Sequence, residues 1–173
     1  MCNENGVTSA WITFETAVAR CEGQIRIKEE KIWTLLTAMV ELKGHEEPLG
    51  TNRPMGTRKG SYGNQLTWKE QQEKEKAEVG SVVQPYAVVI GGGQGGIALG
   101  ARLRQLSVPT IIIERNERAG DRWRNRYKSL CLHDPVWYDH LPYLPFPKNW
   151  PVFSPKDKIG DWLEMYTKVM ELN

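Results

Sequence analysis

A chain of 173 residues, 40% of them hydrophobic and 25% charged, has the make-up of a soluble globular protein with room for one domain, or for one domain and a piece of another. A net charge of +2 argues for neither nucleic acid nor a membrane surface as partner, and no apolar run reaches the length of a membrane span. The start, Met1-Cys2-Asn3-Glu4-Asn5-Gly6, lacks the basic and apolar stretches of a secretory leader. Three cysteines (Cys2, Cys21 and Cys131), odd in number and far apart, read as reduced thiols of a cytoplasmic protein, and no Cys/His spacing suggests a metal site.

Residues 1–43 are expected to form a partial β segment. Ile12, Phe14, Thr16 and Val18 alternate with Thr13, Glu15 and Ala17, and Gln24 to Lys28 alternates again. Glu29-Glu30-Lys31 is a polar turn, and Ile32 to Val40 is mostly apolar, β-branched or aromatic. That pattern predicts two or three antiparallel strands. The last run also suits a helix, through Leu35, Leu36, Met39 and Leu42.

Residues 44–84 have linker composition, with Pro48, Gly50, Pro54, Gly56 and Gly60 as breakers. Within them, Thr67-Trp68-Lys69-Glu70 matches a capping box. Lys69/Glu73 and Glu70/Lys74 have helical i,i+4 spacing, and Gly80 is a natural stop. A short polar helix is predicted from about Thr67 to Glu78, with boundaries good to roughly two to four residues.

Residues 85–173 carry the chemistry. Tyr86 to Ile90 reads as a buried parallel strand, Ile97 to Leu106 as a helix, and Pro109 to Glu114 as a second strand. Between the first strand and the helix lies Gly91-Gly92-Gly93-Gln94-Gly95-Gly96, the context that gives a GxGxxG motif meaning. Gly91 allows the tight turn, Gly93 lets the backbone approach a pyrophosphate, and Gly96 brings the helix close to the sheet. Gly100 continues that smooth face. The helix N-terminus favours phosphate charge. Glu114 lies about where the ribose-binding acid belongs, roughly 20 residues on, and would repel a 2′-phosphate. The fingerprint alone does not separate FAD from NAD.

Farther on, five prolines between Pro142 and Pro155 predict an extended path. Ser154-Pro155 reads as an N-cap followed by proline at the first helical position. Ile159, Trp162, Leu163, Tyr166, Val169 and Met170 form the apolar stripe of an amphipathic helix.

Ile90 to Glu114, then Arg118-Ala119-Gly120-Asp121-Arg122-Trp123, then Tyr127 to Pro147 resemble the N-terminal part of flavin-containing monooxygenases, with YUCCA-like and fungal and bacterial relatives nearest in look. The resemblance covers roughly residues 84 to 173. It implies FAD as the cofactor, held by Gly91, Gly93, Gln94, Gly95, Gly96, Glu114, Arg115, Trp123 and His133. In the family a GGxW stretch packs along the flavin nucleotide; here its second glycine is Asp121. Ser129-Leu130-Cys131-Leu132-His133 matches the histidine form of a stretch near the flavin ring. The implied reaction uses NADPH to reduce FAD and places one atom of oxygen on a small-molecule substrate. The family's second glycine-rich motif, for NADPH, does not occur in these 173 residues. Phe14 to Lys43 resembles the last strands of an NTF2-like (SnoaL-like) domain. Together these imply a truncated or fragmentary chain: a partial Rossmann-type FAD-binding βαβ unit, class α/β, preceded by a small antiparallel β segment and a polar linker.

Each residue also has a plainer reading. His133 is equally well an ordinary loop residue, Cys131 a packing residue and Trp123 a core residue. Arg115, Arg118, Arg122, Arg124 and Arg126 read first as solvated surface, with contact to FAD phosphates as the lesser alternative. Ser129, Asp134 and His140 lack the nucleophile elbow of a hydrolase. The competing functions are a catalytically silent nucleotide-binding remnant or interaction module and, further back, an FAD/NAD-dependent reductase, for which the usual redox cysteine pair is absent. Substrate and oligomeric state are not encoded in any recognisable pattern.

Overall fold

A computed structural model describes residues 2–4, 6–56 and 66–173. The chain divides into two compact units, one up to Asn52 and one over Arg53–Asn173.

The first unit is a four-stranded antiparallel sheet in sequential order: β1 (Cys2–Glu4), β2 (Val7–Glu15), β3 (Ala19–Lys28) and β4 (Lys31–Leu42). The run that also suited a helix is therefore a strand. Its partner decides the matter, because β4 pairs with β3 from Lys31 back to Leu42. Glu29 and Glu30 both have positive φ, the backbone that a two-residue hairpin turn needs to match strand twist. The alternation read through Thr16 and Val18 stops earlier, at Glu15. Thr16 Oγ1 accepts the Ala19 amide at 2.9 Å and makes the turn between β2 and β3. The short β1 is a strand that alternation did not pick out, being only three residues long. Registry puts Ala10, Ile25 and Leu35 on one face with Phe14, Cys21 and Met39.

The second unit opens with α1 (Trp68–Glu78), in which the expected capping box forms. The Glu70 amide donates to Thr67 Oγ1 at 3.3 Å, and the Thr67 amide to Glu70 Oε2 at 2.7 Å. That reciprocal cap occupies Glu70, so the predicted Glu70–Lys74 pair is replaced by Lys74–Glu78 at 3.8 Å, while Lys69–Glu73 forms at 3.8 Å. Gly60, read as a breaker, lies outside the described residues. The helix is not a free linker element. Trp68 Nε1 donates to Glu171 Oε1 at 2.6 Å, and Arg104 reaches the same carboxylate at 3.1 Å.

Next come β5 (Ala87–Ile90), α2 (Gln94–Gln105) and β6 (Thr110–Ile113). The two strands pair in parallel, Ala87 with Thr110 through Ile90 with Ile113, so this is the βαβ unit of a Rossmann-type α/β fold. α2 covers one face with Ile97 and Ala101, both fully buried. On the other face Val88, Ile90 and Ile113 are more than half exposed. The Ile112 amide donates to the Asn173 carbonyl at 2.8 Å, on the edge of β6 away from β5.

A short α3 (Asp121–Arg124) and the long α4 (Lys156–Val169) complete the unit. α4 starts one residue later than the Ser-Pro pattern suggests. Pro155 is the N-cap, and Ser154 is fully buried with its hydroxyl donating to the Pro151 carbonyl at 3.2 Å. Ile159, Leu163, Tyr166 and Met170 pack with Ile97, Leu132, Val136 and Phe146 into one core. Val169, assigned to the stripe by spacing, is more than half exposed. Trp162 sits at the core's edge against Phe146 and Trp150. Tyr166 Oη donates to the Pro142 carbonyl at 2.8 Å, fixing the proline-rich path to α4.

Candidate cofactor-binding site

The glycine turn takes its shape from β5 ending at Ile90. Gly91 has φ +102°, a conformation that side chains resist, and its amide donates to the Ile113 carbonyl at 2.7 Å. This fixes the exit from β5 against β6. A Cβ on Gly96 would lie 1.9 Å from the Gly91 carbonyl oxygen, so α2 packs onto the turn as closely as backbone allows.

Gly93 is different. It is extended (φ −76°, ψ −179°), and a Cβ there, or on Gly95, would meet nothing within 4 Å. The protein's own packing does not require glycine at either position; an incoming ligand would. Gly93 is the N-cap of α2, and the first intrahelical donor is Ile97, whose amide reaches the Gly93 carbonyl at 3.0 Å. The amides of Gln94, Gly95 and Gly96 precede it and are the ones a helix start leaves free. They sit at the positive end of the helix dipole, beside open space suited to a phosphate.

Glu114 directly follows β6, and its side chain folds back onto the turn. Oε2 accepts the Gly92 amide at 2.7 Å; Oε1 accepts the Asn116 amide at 2.8 Å and Asn116 Nδ2 at 2.5 Å. The Asn116 amide, with help from Gly92, holds the carboxyl below the usual carboxylate range despite partial burial. A depressed folded value means that this stabilisation is present above the unfolded value of about 4.3 and is lost as pH falls through the lower folded value. Glu114→Gln is therefore expected to destabilise the protein by about 1 kcal/mol at neutral pH. The gap from wild type should close below about pH 4; thermal melts across pH 3–7 measure it, and a constant gap counts against the assignment.

Beyond α2, a cleft of about 440 Å³ is lined by Gln94, Trp123, Cys131, His133 and Asp139, with Arg122 and Arg126 also along it. Trp123 Nε1 donates to Gln94 Oε1 at 3.1 Å, joining α3 to the first residue of α2. The structure thus gathers Gln94, Trp123 and His133 from the predicted set, and keeps Gly91, Gly93, Gly95, Gly96 and Glu114 at the adjoining turn. Arg115 is exposed and is not among the residues lining the cleft.

The arginine cluster splits. Arg124 is committed to Asp121, Asp161 and Glu164, each at 2.9 Å, and Arg118 pairs with Asp121 at 3.1 Å. That explains aspartate at the second position of the Gly-Asp-Arg-Trp stretch: Asp121 is buried and ties Arg118 and Arg124 to α3. Arg122 and Arg126 are left at the cleft. Asp139 was not singled out by sequence, since a lone aspartate beside prolines carries no pattern. Its Oδ2 is shut off from solvent with no hydrogen-bond partner among the described residues, and burial first, then Asp134, pushes its carboxyl above the usual range. His140 is engaged structurally, its Nδ1 accepting the Phe146 amide at 3.0 Å. Among the described residues no group of three or more His, Cys, Asp or Glu could hold a metal, and no helix is long and apolar enough to cross a membrane.

No protein-family model matches the chain. An uncharacterized CzcO-like oxidoreductase of Geobacillus kaustophilus is 40% identical over 85 residues, which are 49% of this chain and 24% of that protein. The indole-3-pyruvate monooxygenase YUCCA1 of Oryza sativa is 39% identical over 83 residues, 47% of this chain and 20% of that protein. Among solved structures, a flavin-containing monooxygenase from Stenotrophomonas maltophilia aligns with 28% identity and a TM-score of 0.47, covering 50% of this chain and 26% of that one. The chain therefore spans a quarter or less of the length of the curated relatives it matches.

Proposed function

We propose, on the premise that the matched half of this chain belongs with the flavin monooxygenases, that residues 85–173 bind FAD as the cofactor-holding portion of an NADPH-dependent monooxygenase acting on a small organic substrate. One observation carries the reading: a glycine turn with open space over Gly93 and Gly95 presents three free helix amides and leads through Gln94 into a cleft of about 440 Å³. The amides of Gln94, Gly95 and Gly96 hold the pyrophosphate. Glu114 keeps lone pairs beyond those used by Gly92 and Asn116, and these accept the ribose hydroxyls. Trp123 and His133 flank the ring in the cleft, and Arg122 and Arg126 offset the phosphate charge. FAD held there would supply the redox chemistry between NADPH and oxygen.

Residues 1–43 are read as the closing strands of an NTF2-like domain and 44–84 as the connection to the cofactor-binding portion. Among the described residues Cys21 and Cys131 are free thiols, which suits a reducing cytoplasm.

FAD titrated into the purified protein is expected to quench tryptophan fluorescence, with Trp123 as reporter, and to co-purify as a visible flavin band. Absence of both signals would mean that the chain does not bind FAD. The competing reading is a catalytically silent cofactor-binding module. FAD binding without NADPH-driven oxygen consumption selects it; oxygen consumption removes it.

A further inference from the structure

We infer that Asn116 is a positioning residue for the cofactor: with the Gly92 amide it clamps the Glu114 carboxylate in the orientation that meets the adenosine ribose of FAD. This rests on the FAD reading above. A glutamate reaches its target through several rotatable bonds, and an unrestrained one loses that freedom only on binding, at a cost to affinity. At Glu114 the freedom is gone before any ligand arrives. Oε2 accepts the Gly92 amide at 2.7 Å, and Oε1 accepts the Asn116 amide at 2.8 Å and Asn116 Nδ2 at 2.5 Å. One oxygen is held by the glycine turn and the other by the chain leaving β6, so the plane of the carboxylate is set.

An ionised carboxylate accepts at about four sites. Asn116 takes Oε1 twice and Gly92 takes Oε2 once, which turns the remaining capacity toward Oε2, on the side of the glycine turn. Gly92 stands at a variable position of the GxGxxG motif, and the clamp accounts for glycine there. A Cβ on it would lie 3.0 Å from the Glu114 Cβ and 3.3 Å from Oε2, so a side chain would push the carboxylate off the turn. Asn116 is equally particular in type, because its side-chain amide donates. Aspartate in its place would set a second carboxylate against the first, and alanine would leave Oε1 with the main-chain bond alone. Arg115, between the two, is exposed, and the clamp is made without it.

The test compares FAD with an analogue whose adenosine is the 2′,3′-dideoxy form, which lacks both ribose hydroxyls and keeps the rest of the molecule. Wild type is expected to prefer FAD by about tenfold or more, as hydrogen bonds to a charged group confer. In Asn116→Ala the preference is expected to fall to about threefold or less, while the analogue binds within about twofold of its wild-type Kd. Asn116→Asp, which cannot donate from an ionised side chain, is expected to lose the preference as well. A merely structural role would weaken both ligands together and leave the preference standing. That result, or an alanine variant unchanged toward both ligands, overturns the inference. If the alanine variant does not fold, Asn116→Asp, equal in size to the wild-type residue, is read by the same ratio. Wild type that binds FAD and the analogue equally well overturns the inference and leaves the FAD reading in place. Wild type that binds neither removes that reading as well.

Discussion

Asparagine at Gly93 is expected to leave the protein as stable as wild type, or slightly more so, while weakening FAD binding roughly tenfold to a hundredfold. Stability is preserved for two reasons. Gly93 has an ordinary extended φ of −76°, and the space where a Cβ would go is open. Gly93 is also the N-cap of α2 and makes no side-chain cap. Asparagine is among the best residues there, because its side-chain oxygen accepts from the amides two or three positions on. Those amides belong to Gly95 and Gly96, the same groups assigned to the pyrophosphate. The side chain therefore occupies the ligand's space and its donors at once. Hydrogen bonds to a charged group contribute about 1.5–3 kcal/mol, and each 1.4 kcal/mol is tenfold in affinity, which sets the range. Thermal melts and an FAD fluorescence titration on one preparation read both effects. Unchanged affinity would show that the pyrophosphate does not lie over this turn. A Tm that fell with the affinity would make Gly93 structural.

The βαβ unit could be read from sequence because each link has its own local chemistry. An apolar run, a glycine turn, a helical stretch, a second apolar run and a terminal acid agree in order, and the strands lie within about a residue of their expected ends. Sequence pattern starts α2 at Ile97, yet the helix begins at Gln94. Glycines are poor helix formers in isolation. Here the first turn is held by contact between Gly96 and Gly91, a tertiary effect that propensity does not register. The same limit applies to β4: period and composition left strand and helix open, and pairing with β3 decided between them. Ser154 has the chemistry of an N-cap, but burial beneath the proline path turns its hydroxyl to Pro151 instead. The cleft could not be read at all. It joins Gln94 to Trp123, His133 and Asp139 from separate segments, and the only local sign was the resemblance at Trp123 and His133. Charge content likewise hid the division of labour among the arginines. Five in a short stretch look alike until Asp121, Asp161 and Glu164 claim Arg124 and leave Arg122 and Arg126 beside the cleft.

Alanine at Gly96 should give the opposite signature to asparagine at Gly93: a large loss of stability, with FAD binding lost as a consequence. Its Cβ would stand 1.9 Å from the Gly91 carbonyl oxygen and 3.1 Å from the carbonyl carbon. The obstacle is backbone, held in turn by the 2.7 Å bond from the Gly91 amide to the Ile113 carbonyl. It cannot rotate aside as a long side chain would. α2 must instead withdraw from β5. Overpacking of this kind costs about 1–3 kcal/mol. Withdrawal also loosens Ile97, which is almost wholly buried, and full burial of such a side chain contributes about 1.5–3 kcal/mol. The better helix propensity of alanine returns about 1 kcal/mol. A net loss of about 2–4 kcal/mol remains, a large share of the roughly 5–15 kcal/mol that holds a domain together. For a unit of this size that corresponds to a Tm lower by about 10–15 °C. Thermal unfolding followed by circular dichroism measures it. A Tm equal to that of wild type would mean that α2 shifts freely along β5. In that case the close approach would not be what fixes the amides of α2 over the turn.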